Sequence, residues 1–439
     1  MNFFTSSLKK PILGGLLASA LLSSTILYGQ APQKNWKDQE EYNIYQKIAG
    51  SQNPDEQLQL LKQWEEKYPA SDFKLERAQT YLVVYNKKND GAGVYQASKN
   101  LLTVDPKSFQ ALYFLTLLTV SLNKVDPDGL ETGTKSANAL IGLLDETYAA
   151  DKKPANVSEA DFKKQRSAIE VAAYKTLGWV EQQKKDYPKA EEYFKKGLGV
   201  DNGVAELSYL LGTVIVLQKK AERQAEAMWH FARAGHLDGP GALDATRKGQ
   251  VAAYFKRVFT SFAGDDPKEM ASIVEQAKGA VYPPADFKIK SAAEKMAENE
   301  EKFKSENPKL YLFMQVKNKL MAADGETYWA ELKDAELPEF TGKLVSMKPE
   351  TNPKELVVAI STADTPEITI VVETALRGKA DPGTELTFTG VAKEYTKDPF
   401  TLKVEVDNDK LKGWPVQAAP AKKTPAKKTP ASRPAGKKK

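Results

Sequence analysis

Tyr174-x2-Leu177-Gly178, followed by Ala190 and Phe194, recurs in outline 34 residues on, where Leu211-Gly212 is followed by Ala227, Phe231 and Ala234. A fixed period of this length constrains a chain to stack one helical hairpin on the next, because a single hairpin cannot bury its apolar face alone. Within each hairpin a short residue at Gly178 or Ala190 lets two helices approach closely. The large side chains of Tyr174, Leu177 and Phe194 then fill the space around the crossing. Gly212 to Ala227 spans 15 residues where Gly178 to Ala190 spans 12, which places a three-residue insertion in the second hairpin loop.

The spacing resembles the tetratricopeptide repeat (TPR) family. Two positions depart from its pattern: Glu181 stands where that family often has tyrosine, and Gly197 where alanine is usual. The resemblance implies a mainly helical solenoid over residues 36–262 whose concave groove holds a partner protein or peptide. Leu177 and Gly178 face the neighbouring helix, and a residue one place further on turns about 100° away. Lys175, Trp179 and Gln182 therefore share a stripe, with Glu206, Tyr209 and Thr213 forming a similar one a helix pair later, and the resemblance places both in the groove. Core packing of Trp179 against the preceding helix is the alternative, and it stays open here.

Weaker hairpins extend the periodicity back to Trp36. Asn53-Pro54 opens a helix by cap and first-turn proline, Tyr68-Pro69 ends it, and Ser158-x-x-Asp161 reads as a capping box with Asp in place of Glu. Helical patterns over Tyr254 to Phe262, Lys268 to Ala277, Ala285 to Lys304 and Pro308 to Met321 continue the chain, and those in 265–335 read as additional capping helices. After Glu336 five short β-rich runs appear, at 340–345, 356–361, 367–374, 385–391 and 400–406. They predict a small five-stranded barrel over residues 337–412, and Pro382-Gly383-Thr384 ahead of a strand ending at Gly390 resembles the OB-fold family.

At the N-terminus an uncharged apolar run, Ile12 to Leu27, follows Lys9 and Lys10. This is the pattern of an export signal over residues 1–30, with an uncleaved inner-membrane anchor as the alternative. The chain has no cysteine, which excludes disulfides, thiolate metal sites and a cysteine nucleophile. Export without disulfides fits a bacterial periplasm. Residues 417–439 are mostly Ala, Lys, Pro and Thr, a composition expected to stay disordered. The formal net charge of +5 comes from the ends: removing the two signal lysines and the eight basic tail residues leaves 53 Lys and Arg against 58 Asp and Glu. The tail is thus the one basic segment, suited to anionic envelope polymers or lipid headgroups.

Catalytic chemistry finds little to work with. The only histidines, His230 and His236, are six residues apart, which is neither the i, i+4 spacing of a helical zinc pair nor part of an HExxH, so they read as surface or helix-end residues. Gly91-Ala92-Gly93 is too short for a nucleotide loop, and the carboxylate pairs Glu191-Glu192 and Glu300-Glu301 read as solvated helix faces. Neither a catalytic site nor a metal or cofactor is expected. A nucleic-acid role for barrel and tail is the alternative function. It is disfavoured because residues 339–410 carry nine Lys and Arg against 13 Asp and Glu, with Phe388 and Phe400 on the core-facing phase and only Tyr395 free to stack. The sequence therefore predicts an exported, non-catalytic cell-envelope scaffold or adaptor that grips a protein or peptide.

Overall fold

The computed structural model describes residues 34–415. The expected signal segment 1–30 and basic tail 417–439 lie outside them. The described chain divides into two compact units, with the boundary between residues 292 and 293.

The first unit is a TPR-like helical-repeat solenoid. Its helices are α1 (Gln39–Gly50), α2 (Pro54–Lys67), α3 (Lys74–Lys87), α4 (Gly91–Val104), α5 (Phe109–Ser121), α6 (Pro127–Thr147), α7 (Glu159–Gln183), α8 (Tyr187–Val200), α9 (Ala205–Leu217), α10 (Gln224–His236), α11 (Ala245–Ala263) and α12 (Pro267–Gly279). One turn recurs through it. After α3, α5, α7 and α9 the chain passes through a left-handed residue, Asn89, Asn123, Lys185 and Lys219, with φ of 55°, 49°, 65° and 56°. Such a residue reverses the chain while satisfying the last carbonyls of the helix it ends. In three of the four hairpins an aspartate then caps the second helix: Asp90 accepts from the Gly93 amide, Asp126 from Gly129 and Asp186 from Lys189. After α9 the connection holds the three-residue 3-10 turn Ala221–Arg223, where the insertion was expected.

The signature residues pack as their sizes require. A Cβ on Gly178 would lie 2.4 Å from the Phe194 ring, and one on Gly212 would lie 2.9 Å from Phe231. Ala190, Phe194, Leu211, Ala227 and Phe231 share one buried cluster, Leu177 belongs to the next, and Tyr174 packs against that one from a partly buried position. Ala234 sits in a third cluster with Ala205 and Val251. Glu181 is buried and ion-paired to Lys184 at 3.1 Å, so a charge pair occupies the place where an aromatic was missing. Helix α10 is the most enclosed: Arg233 donates to the carbonyl oxygens of Ala277, Ala280 and Asn202, clamping the end of α12 and the α8–α9 connection onto it.

The second unit holds α13 (Ala292–Glu306), α14 (Pro308–Met321), α15 (Gly325–Leu332) and a seven-stranded mixed sheet: β1 (Phe340–Lys348), β2 (Glu355–Ala359), β3 (Ile368–Val372), β4 (Glu385–Phe388), β5 (Val391–Lys397), β6 (Phe400–Val406) and β7 (Leu411–Lys412). The unit boundary falls inside the expected capping segment, with α12 in the solenoid and α14 and α15 with the sheet. Residues 285–291, expected as helix, form a turn at 285–286 and then irregular chain up to α13. Five strands were expected; β5 and β7 are additional, and the run predicted over 385–391 breaks at Thr389-Gly390.

The strand order is β5-β6-β3-β2-β1-β4-β7, antiparallel except for the parallel β3–β6 pair. Alternation along β6 buries Phe400, Leu402, Val404 and Val406 against β3 and against Phe313 of α14, which meets Phe340 edge-on at 5.5 Å. The Lys317–Glu367 ion pair at 2.6 Å fastens α14 to the sheet.

Candidate binding face

First helices of successive hairpins lie side by side. The Thr176 hydroxyl on α7 donates to the Thr116 carbonyl on α5 at 2.9 Å. Lys175 on α7 pairs with Glu206 on α9 at 3.1 Å, and the other oxygen of Glu206 lies 3.9 Å from Arg247 on α11. Arg247 also holds Asp244, the cap of its own helix. An ionic ladder thus crosses three helices, with Glu206 shared between two cations. At about a quarter exposed, Lys175 and Glu206 are screened by solvent, so the ladder aligns the helices more than it stabilises them.

The six residues picked from the stripes have unequal surroundings. Trp179 is partly exposed and joins none of the buried clusters. Tyr209 is drawn inward, 5.9 Å from Phe231 and packed against two clusters, and burial raises its phenol above the usual value. Thr213 spends its hydroxyl on the Tyr209 carbonyl one turn back. Gln182 keeps its side-chain carbonyl enclosed without a hydrogen-bond donor. Lys175 and Glu206 satisfy each other.

Three residues of α11 escaped the sequence reading. Arg247 and Tyr254 stand seven apart on one side of that helix, Tyr254 meets Phe231 edge-on at 4.9 Å, and the exposed Arg257 guanidinium sits 5.3 Å over the Tyr254 ring. The i, i+7 spacing was the available signal, but α11 has no Leu-Gly pair to mark it as a first helix.

One of the two histidines differs from expectation: His236 ends its helix as expected, and His230 does not lie at the surface. His230 is fully buried beneath Tyr282, their rings edge to face at 5.9 Å, and neither ring nitrogen has a partner. Burial, with Lys195 and Arg233 nearby, pushes its pKa down to about 3. The reason it is not at the surface is the 280–291 segment, which covers α10 through the Tyr282–His230 and Phe287–Trp229 contacts. His236 ends α10, half-buried, with Nδ1 2.9 Å from the Ala232 carbonyl oxygen. Glu191, read as a solvated residue, is buried too. Burial alone would raise its carboxyl, but hydrogen bonds from Arg223, Lys195 and Gln218 outweigh that and hold it at about 2.

In the second unit Phe388 and Phe400 are in the core as predicted. Tyr395 is not free: its hydroxyl donates to Glu326 at 2.7 Å and its ring packs 4.9 Å from Trp329. Among the described residues no group of three or more His, Asp or Glu side chains is placed to hold a metal ion, and no helix is long and apolar enough to cross a membrane.

No family model matches this chain, and no curated protein does. Among solved structures it is similar to a MamA RS-1 ArsTM double mutant at 15% identity, over 50% of this chain and 94% of that one, with a TM-score of 0.30. It is similar to PilF of Pseudomonas aeruginosa at 12% identity, over 67% and 95%, with a TM-score of 0.30. A thermophilic TPR protein of Thermus thermophilus is similar at 14% identity, over 50% and 97%, with a TM-score of 0.25. The recurring hairpin turn and the face of aligned first helices define the class: a helical-repeat protein with a polar, aromatic-bearing surface on α7, α9 and α11.

Proposed function

We propose that this protein is an exported, non-catalytic scaffold or adaptor of the cell envelope that holds a protein or peptide against the face formed by α7, α9 and α11. The observation that carries the reading is Trp179: a large apolar side chain left partly exposed, outside every buried cluster, beside the Lys175–Glu206–Arg247 ladder. An aromatic anchor ringed by polar groups is what protein-binding surfaces use. Export rests on the charged and apolar N-terminal pattern, and the basic tail is assigned to anionic envelope polymers or lipid headgroups.

The sheet unit is read as an OB-type barrel in a structural or protein-binding role. Support comes from strand connectivity. One end of the order is β5, bonded to β6, while β4 near the other end is bonded to β1, and only Thr389-Gly390 separates the two in the chain. Taken as one bent strand, 385–397 would close the sheet on itself. Gly390 suits such a bend, since a Cβ there would meet the Glu405 carbonyl oxygen at 2.3 Å.

Two measurements test the proposal. Fractionation with an antibody to the solenoid should place the protein in the envelope; full-length protein in the cytoplasm with Met1 retained would overturn export. Partners retained from envelope extracts by the full chain should be lost on Trp179→Ala together with Arg247→Ala. Unchanged retention by that folded double variant would remove this face as the site.

A further inference from the structure

A second concave feature lies wholly within the sheet unit. Helix α15 and the residue that caps its end turn Glu326, Trp329 and Lys333 to one side by their i, i+3, i+7 spacing. Opposite them Lys393, Tyr395 and Lys397 alternate along β5, away from the buried Ala392. Between the two elements is a solvent-open cleft of about 320 Å³, near the lower end of the roughly 300–1,000 Å³ common for small-ligand sites.

Its chemistry is divided. The Trp329 and Tyr395 rings meet at 4.9 Å and 47°, both packed against the core, so they form a fixed apolar corner. The Tyr395–Glu326 hydrogen bond holds that corner in place. Charge around the corner is not balanced in the same way on all sides. Lys393 is neutralised by Asp334 at 3.0 Å and Glu405 at 3.2 Å. Lys397 reaches only the Ala322 carbonyl oxygen, at 3.2 Å, and Lys333 is exposed; neither has a carboxylate in ion-pair range among the described residues. Glu394, 3.8 Å from Lys403, leaves acceptor oxygens at the rim.

We propose that this cleft binds an acidic sugar residue, such as a uronic acid unit of a glycan. The C–H face of a pyranose ring carries partial positive charge and packs on the electron-rich face of an aromatic ring. Carboxylate oxygens at the rim accept hydrogen bonds from ring hydroxyls, and the two uncompensated ammonium groups receive the sugar carboxylate. A purely apolar ligand would leave this polar rim unmatched. A nucleic-acid strand needs a continuous basic track, which Glu326 and Glu394 interrupt.

The test titrates the full chain by calorimetry with trigalacturonate, with neutral maltotriose and with a short oligothymidylate, at low and high salt. Trigalacturonate should bind with a millimolar or tighter Kd, maltotriose at least about tenfold more weakly, and the acidic ligand should weaken with salt. Lys333→Ala with Lys397→Ala should cost at least about tenfold in Kd, since two charge-assisted contacts are removed. Trp329→Ala should do the same; if that variant fails to fold, the lysine pair alone decides. Absence of trigalacturonate binding, equal binding of maltotriose, tighter binding of the oligonucleotide, or affinity unchanged in the lysine double variant each overturns the proposal.

Discussion

The ring edge of Phe194 occupies the space beside Gly178 so fully that a Cβ there would lie 2.4 Å from it. Phe194 is itself fully buried, so the ring has no room to yield. Gly178→Ala should therefore destabilise the solenoid by about 1–3 kcal/mol from overpacking, less the roughly 1 kcal/mol that alanine gains over glycine as a helix former. Thermal denaturation of Gly178→Ala, Phe194→Leu and the double variant tests this. The double variant should be more stable than the sum of the two single changes, because a smaller side chain relieves the clash.

Two tryptophans of the solenoid should respond in opposite ways. Trp64 is fully buried and its indole N–H donates to Glu41 at 2.8 Å, so Trp64→Ala should cost about 3–5 kcal/mol. Trp179 is partly exposed and joins no buried cluster, and Trp179→Ala should cost clearly less than Trp64→Ala while lowering partner affinity. Equal losses in chemical denaturation would place Trp179 in the core.

His230 makes stability depend on pH. Its pKa is depressed in the folded chain to about 3, so below about 6.5 the unfolded chain takes up a proton that the folded one does not. Stability should fall as pH drops from 6.5 towards 3, by at most about 1.4 kcal/mol per pH unit. Melting curves between pH 6.5 and 5 read the effect before carboxylates begin to titrate. His230→Leu should flatten this window, and an identical slope in the variant would assign the pH dependence elsewhere.

Glu191 acts in a lower range. Held at about 2 by Arg223, Lys195 and Gln218 against the cost of burial, it contributes stability that is present above the unfolded carboxylate value near 4.5 and is lost as pH falls towards 2. Glu191→Ala leaves the Arg223 guanidinium, itself only a fifth exposed, with Glu226 as its one remaining carboxylate beside the Gln218 side-chain oxygen, and should cost about 2–4 kcal/mol near neutral pH. Urea denaturation of Glu191→Ala beside Glu192→Ala, whose carboxylate is exposed, provides the comparison. The second change should be within about 0.5 kcal/mol of wild type.

Much of the solenoid was legible because its information is local. Gly178 and Phe194, or Asp186 and Lys189, lie within 16 residues of each other, and helix caps, left-handed turns and small-to-large contacts act over that range. The three-residue insertion could be counted because both ends of the hairpin carried the same signature. Weaker signals misled where a covering segment mattered: nothing in the sequence near His230 announces that Tyr282 lies over it, so a buried residue read as a helix-end one.

The sequence by itself determined the repeat period, the helix caps and the alternation that buries Phe400, Leu402, Val404 and Val406, because each follows from steric and hydrogen-bonding rules among neighbours in the chain. Only the tertiary structure decided that Glu206 bridges Lys175 and Arg247, that Tyr209 is drawn inward while Trp179 is not, that Tyr395 is held by Glu326, and that β5 departs from β4 to pair with β6. These contacts join residues as far as 31 or 69 positions apart, or depend on how one helix rotates against its neighbour. The side chain that ends up exposed is chosen by close packing over the whole unit, and that is not written in any local pattern.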